Sequence, residues 1–201
     1  EPLACVVDGA LALPKVTAGD AAVLAGPVAN GLVTAEVAQA ALDAGASVVN
    51  DVSGGLADPR ILEVVADTGA TYVAMHWRAH SDRMAEFATY DDVGGVLAQV
   101  RRELSERVSG MRAAGLADHQ IVLDPGLGFA KAAHHNWELL RGLEELSEMG
   151  FPVLLGASRK SFLGHLLADD QDRPRAAGER EFAHAALVAW AAQRRVWGLR
   201  V

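Results

Sequence analysis

The feature that most limits the folds open to this chain is an alternation. Short apolar runs of strand length, each stopping at polar residues, are separated by stretches whose apolar residues recur at helical spacing. Ser47 to Val52, Thr71 to Met75, Ile121 to Leu123 and Pro152 to Gly156 read as strands buried on both faces. Between them, the spacing predicts a helix from Ala35 to about Ala44, with Thr34 as its N-cap and Gly45 as its end. A second begins at Asp58-Pro59 and runs to Gly69. A third, Val93 to Ala114, carries Val96, Leu97, Val100, Leu104, Val108 and Met111 on one face and closes at Gly115. A fourth, Asn136 to Met149, presents Leu139, Leu140, Leu143 and Leu146 and ends at Gly150. Phe182 to Arg194 is a further helix, leading to a last strand at Val196 to Val201. Strand, helix and strand joined by short links argue for a parallel sheet with right-handed crossovers.

A doubly wound sheet and a (β/α) barrel both satisfy that pattern. No Gly-x-Gly-x-x-Gly or Walker loop follows an early strand, which weakens the nucleotide-binding form of the open sheet. Polar residues close nearly every strand: Asn50 and Asp51, His76, Asp124, Ser158 to Ser161, and Arg200. A site assembled from many strand tips is the habit of the barrel, which is favoured here as a single domain of 201 residues. Leu3 to Val7 reads as another buried strand, Asp8 to Gly31 has no clear pattern, His80 to Asp92 reads as a loop, and Ala168 to Gly178 as an exposed excursion.

Composition narrows the function classes. Apolar residues make up 51% and charged ones 22%, a globular balance. A net charge of -8 argues against a nucleic-acid or anionic-membrane surface, so the expected partner is a small molecule. One cysteine, Cys5, permits no internal disulfide and reads as packed rather than reactive, which suits a reducing, cytoplasmic location. Glu1-Pro2 opens without a basic segment, and no apolar run reaches membrane-spanning length.

In Ile121-Val122-Leu123-Asp124-Pro125-Gly126-Leu127-Gly128-Phe129 a carboxylate sits at the C-terminal end of a buried strand, where α/β proteins bind ligands. Asp-Pro is also ordinary turn chemistry, and on its own the run leaves both readings open. His76 beside Trp77 reads as structural rather than catalytic, the tandem His134-His135 as an exposed helix start, and the helix from Val93 to Ala114 as core packing only.

Four motifs in order, Asn50-Asp51-Val52-Ser53-Gly54-Gly55, Met75-His76, Asp124-Pro125-Gly126-x-Gly128-Phe129 and Gly156-x-Ser158-Arg159-Lys160, resemble dihydropteroate synthase, with the flavour of its actinobacterial members. The resemblance covers about residues 35 to 201. It implies a TIM-type (β/α) barrel of the pterin-binding family, incomplete at this length, that joins p-aminobenzoate to 7,8-dihydropterin-6-ylmethyl diphosphate and releases pyrophosphate in folate synthesis. By that resemblance Asn50, Met75, Asp124 and Lys160 bind pterin, and Phe129 and Ser161 border the p-aminobenzoate site where sulfonamides compete. Ser158 and Arg159 support the pocket, while Lys160 and Arg200 carry the catalytic roles, Arg200 meeting the departing pyrophosphate. Mg²⁺ as cofactor and a homodimer are implied in the same way.

The chemistry of these residue types suits the roles. A pterin presents a ring N–H and an amino group side by side, so one carboxylate can accept two parallel hydrogen bonds. An amide offers a donor and an acceptor to ring nitrogens, and a lysine supplies donors to the remaining acceptors. Positive charges at Arg159 and Lys160, at a helix start, imply an anion or acceptor to meet.

The chain also departs from the family's pattern. Its Asn-x-Thr-x-Asp-Ser-Phe and Gly-Gly-Glu-Ser/Thr loops are not in the sequence, and Gly31 stands about where a second pterin-binding Asp is expected. The sequence reaches Arg200-Val201, ahead of a His and last helix that the resemblance leads one to expect. Two readings therefore stand side by side: a transferase, or a pterin-binding or structural homologue without the catalytic loops. A pterin-dependent methyltransferase is disfavoured by Ser158-Arg159-Lys160.

Overall fold

Parallel pairing is the first consequence of the alternation. The computed structural model describes residues 33–80, 83–90, 94–194 and 196–201, together with the backbone of the strands Cys5–Val7 (β1) and Ala22–Ala25 (β2). It divides into two units, Glu1–Trp77 with Arg102–Asp124, and Arg78–Arg101 with Pro125–Val201.

In the first unit, β1 and β2 are followed by Val48–Asp51 (β3), Thr71–Met75 (β4) and Ile121–Asp124 (β5), and the five strands lie side by side in chain order, every neighbour parallel. Each crossover carries a helix or a long connection, as parallel pairing requires. The strand β2 lies in a stretch where the sequence pattern is unclear, whereas β1 sits within the expected run Leu3 to Val7. Cys5's side chain, and the stretch Pro27 to Leu32 with Gly31, lie outside the described residues.

Helix Ala35–Asp43 (α1) is capped as its sequence predicts, Thr34 Oγ1 accepting from Val37 N–H at 3.4 Å. A second acceptor comes from further along the chain: Asp58 Oδ2 takes the Ala35 N–H at 2.9 Å. Asp58 thus closes the start of α1 as well as that of Arg60–Thr68 (α2), whose first N–H it accepts at 3.3 Å. The expected end at Gly69 is present, in the left-handed conformation that glycine adopts without penalty. The core gathers Val49, Ile61, Val65, Tyr72, Val73, Met75, Leu104, Met111 and Ile121, each 1% exposed or less. Burying each such side chain stabilises the fold by about 1.5–3 kcal/mol.

Helix Gly95–Ala113 (α3) begins two residues later than expected, and Val96, Val100, Leu104, Val108 and Met111 form its buried stripe. The loop expected at His80 to Asp92 contains a 3₁₀ turn at Met84–Phe87.

In the second unit, the single helix expected from Asn136 to Met149 is two: Ala133–Arg141 (α4) and Leu143–Ser147 (α5), joined at Gly142. A methyl group at Gly142 would strike the side chain of Leu97, so the close approach demands glycine. Leu139, Leu140, Leu143 and Leu146 are all buried, as the spacing predicts. Strands Leu154–Gly156 (β6) and Gly198–Arg200 (β7) pair in parallel, Gly156 beside Arg200. A short helix, Ser161–Leu166 (α6), follows β6 and begins directly after Arg159-Lys160, where the sequence suggests a helix start. Ala168 to Gly178 is largely exposed, as expected, and Glu181–Ala192 (α7) precedes β7.

Candidate functional site

Strand register sorts the polar strand ends into two classes. Asn50 pairs with Val73, Val73 with Val122, and Met75 with Asp124. Side chains alternate along a strand, so Asn50, Val73, Met75, Val122 and Asp124 share one face of the sheet. Asp51, paired with Ala74, and Tyr72 and His76, two positions either side of Ala74, belong to the opposite face. The candidate pterin residues Asn50, Met75 and Asp124 are thereby gathered at one end of β3, β4 and β5, each 1% exposed or less.

The opposite face holds the scaffold. Asp51 is fully buried, and its two oxygens accept from Ser53 N–H at 2.8 Å, Ser53 Oγ at 2.9 Å, Gly55 N–H at 2.7 Å and the Tyr72 hydroxyl at 2.7 Å. A buried carboxylate is tolerated only with such a full set of donors. Here they fold the Ser53-Gly54-Gly55 turn immediately after Asn50. Gly54, with φ of +61°, brings its α-carbon so close to the Met75 carbonyl that an added Cβ would lie 3.0 Å from that oxygen. Burial, and then the charge of Asp51, push the Tyr72 hydroxyl's pKa well above its usual value, which keeps it a donor.

His76 is also buried, its Nε2 lying 2.8 Å from Glu103 Oε2 of α3. Its backbone N–H donates to the Asp124 carbonyl at 2.8 Å, extending the β4–β5 pairing past the strand end. His76 is thus packed at the end of β4, and α3 contributes more than core packing, because Glu103 reaches the β4 tip.

The second unit places the other candidates. Phe129 and Lys160 come together, the lysine Nζ 3.9 Å from the centre of the Phe129 ring. Gly128 makes this possible: a Cβ there would stand 2.9 Å from Lys160 Cδ. Lys160 is half-buried and immediately precedes α6, which begins with the exposed Ser161. Ser158 is half-buried and Arg159 exposed, the latter in a left-handed conformation with φ of 53°. The Arg159 carbonyl accepts from Arg180 Nη1 at 2.6 Å. Arg200, at the end of β7, lays its guanidinium against Gly156, where any side chain would collide with it.

Two expectations need correction or extension. His134 is exposed, but His135 is only 6% exposed, its Nδ1 accepting from Ala132 N–H at 3.1 Å and its ring edge-on to Tyr90 at 4.9 Å. It ties down the start of α4 instead of facing solvent. Asn136, read from sequence only as the first residue of a helix, is 1% exposed and bonded to the loop before it. Among the described residues no group of three or more His, Cys, Asp or Glu is placed to hold a metal ion, and no helix is long and apolar enough to cross a membrane.

Comparisons with known proteins give the chain's family. Residues 33–201 match the family model described as pterin binding enzyme. The dihydropteroate synthase of Mycobacterium leprae is 50% identical over 168 residues, which is 83% of this chain and 58% of that protein. The Xanthomonas albilineans dihydropteroate synthase in complex with 7,8-dihydropteroate aligns with a TM-score of 0.71 at 37% identity, covering 83% of this chain and 57% of the other. The Thermus thermophilus enzyme in complex with 4-aminobenzoate gives 0.73 at 33% identity, covering 90% of this chain and 64% of its own. The chain thus spans less than two thirds of each of these relatives, and its fold class is theirs, the TIM-type (β/α) barrel in incomplete form. With the family model matched over most of its length and the polar strand tips in the family's order, this chain belongs to the pterin-binding enzymes.

Proposed function

We propose that the protein is a dihydropteroate synthase, a transferase that condenses p-aminobenzoate with 7,8-dihydropterin-6-ylmethyl diphosphate, and that the whole chain belongs to one pterin-binding barrel domain. The observation that carries the reading is the buried Asp124 at the end of β5, in register with Met75 and on the same sheet face as Asn50. A carboxylate so placed is a suitable acceptor for the paired N–H groups of a pterin, and burial makes those hydrogen bonds strong. Asn50 supplies a donor and an acceptor to the ring nitrogens, and Met75 packs against the ring. Lys160 donates to the pterin's oxygen and nitrogen acceptors, Phe129 and Ser161 border p-aminobenzoate, and Ser158 and Arg159 support them. Relatives whose solved complexes hold 7,8-dihydropteroate and 4-aminobenzoate support both substrate assignments.

The reaction needs no nucleophilic side chain. The amine of p-aminobenzoate attacks the methylene carbon; a C–N bond forms as the C–O bond to the diphosphate breaks, and the amine gives up a proton. The electron pair leaves on the diphosphate, whose charge Arg200 meets. Mg²⁺ is implied by the family resemblance; among the described residues no group of three or more His, Cys, Asp or Glu is placed to hold it. The partner proposed beyond substrates is a second copy of the chain, which suits the exposure of Phe182 (91%) and Leu166 (61%). A cytoplasmic location accords with the single cysteine.

Pyrophosphate release, measured with both substrates present, tests the proposal: turnover inhibited competitively by a sulfonamide supports it. The competing reading, a pterin-binding homologue without turnover, draws on the missing Asn-x-Thr-x-Asp-Ser-Phe and Gly-Gly-Glu strings. Pterin binding with no pyrophosphate release selects it.

A further inference from the structure

The loop between β5 and α4 carries a set of contacts that the substrate roles leave unused. Asn136 Oδ1 accepts from Gly128 N–H at 2.6 Å while its Nδ2 donates to the Ala132 carbonyl at 2.8 Å. One buried amide therefore ties both ends of the stretch 128–132. Within it, the Tyr90 hydroxyl donates to the Ala130 carbonyl at 3.0 Å and Lys131 Nζ to the Phe129 carbonyl at 3.0 Å. Ala130 is held in the left-handed region, with φ of 49°, a conformation a non-glycine residue keeps only when its surroundings impose it.

The shape of this loop decides where Lys160 lies. The lysine stem crosses the bare backbone of Gly128, and its ammonium rests over the face of Phe129 at 3.9 Å. A cation over a ring face is attracted by the ring's quadrupole, so Phe129 acts as a seat for the charge. A lysine has four rotatable bonds, and one already seated loses less freedom when it meets a ligand. The amide of Asn136 sets the loop, the loop sets the ring, and the ring sets the ammonium.

We propose that Asn136 is a positioning residue for Lys160, acting through Gly128 and Phe129 to hold the lysine in the orientation from which it donates to an acceptor-rich ligand edge. The proposal rests on the reading of Lys160 as a pterin contact. On this proposal Phe129, assigned above to the p-aminobenzoate side, acts on the pterin side as well, through Lys160.

The test is a spectroscopic one that reads the lysine directly. The chain contains three lysines, Lys15, Lys131 and Lys160, so their ε-methylene signals are readily separated by proton–carbon NMR. The ring face shields what lies above it, and one ε-methylene is expected upfield, vanishing in K160R and returning to the ordinary lysine position in F129L. N136A is expected to move that signal toward the ordinary position and to weaken binding of pterin-6-carboxylate roughly 10-fold, the order expected when a preorganised side chain is released. N136D keeps an acceptor for Gly128 N–H but sets an oxygen against the Ala132 carbonyl, and an intermediate shift is expected; it decides the matter if N136A fails to fold. An unshielded Lys160 in the wild type, or shielding unchanged in whichever of these variants folds, overturns the proposal. Because the spectra are recorded without ligand, failure of the wild type to bind the pterin contradicts the substrate reading alone and leaves the positioning role to be judged on the shielding.

Discussion

Two buried acids at strand ends, Asp51 next to Asn50 on β3 and Asp124 on β5, differ in fate because strand side chains alternate. Asp51 turns to the scaffold face and is saturated by Ser53, Gly55 and Tyr72, while Asp124 shares its face with Asn50. Removing the Tyr72 hydroxyl leaves a buried carboxylate short of a donor, a loss of about 1–3 kcal/mol. Urea unfolding of Y72F at neutral pH is expected to show that deficit. Its pH dependence has a definite sign. Tyr72's folded pKa lies above its unfolded value, so its contribution is fully present below about pH 10 and is lost as the pH climbs toward the folded value. The gap between wild type and Y72F should therefore narrow in strongly alkaline solution; a gap that widens there contradicts the assignment. At this scale the sequence was legible in part. Asn50 and Asp124 could be singled out as strand-tip groups, but which of Asn50 and Asp51 faces the helices depends on register with a strand some twenty residues away. Asn136 was illegible for the same reason: its partners are backbone groups of a loop, which leave no trace in side-chain spacing.

Among the elements, the strands β3, β4 and β5 and the helices α1 to α3 follow from apolar spacing and from Thr34, Gly69 and Gly115, because local chemistry decides their ends. Where the spacing misleads, Gly142 is the instance: the leucine stripe runs through it, yet the helix is interrupted there, at a residue packed against the side chain of Leu97. G142A should destabilise the chain by about 1–3 kcal/mol through overpacking, and L97A should recover part of that loss by making room. Thermal unfolding of the single and double variants checks it. Asp58 is the second distant contact, capping α1 from the start of α2. D58A is expected to cost about 1 kcal/mol, the usual worth of a helix cap, with little added by the ion pair because Arg60 is 64% exposed. Its hydrogen bonds with Arg60 and then Ala35 hold its pKa below the ordinary carboxylate value. The cap's contribution is therefore complete above about pH 4 and fades as the pH falls through the lower, folded value. Chemical unfolding of wild type and D58A from pH 7 down to pH 3 should show the two converge only at the acid end.

For the whole molecule, fold class and family were legible because four short motifs occur in order at strand tips, and the family match over residues 33–201 agrees. The strand β2 was not, since its run is only four residues long and is embedded in Ala-, Val- and Gly-rich sequence without a clear period. The central claim is that Asp124 is the acceptor for a pterin edge. Calorimetric titration of pterin-6-carboxylate into wild type and D124N tests it most directly. Asn presents a donor where an acceptor is required and gives up a charge-assisted pair, at about 2–4 kcal/mol, so affinity should fall roughly 30- to 1,000-fold with folding intact. Equal affinity of the two folded proteins contradicts the account.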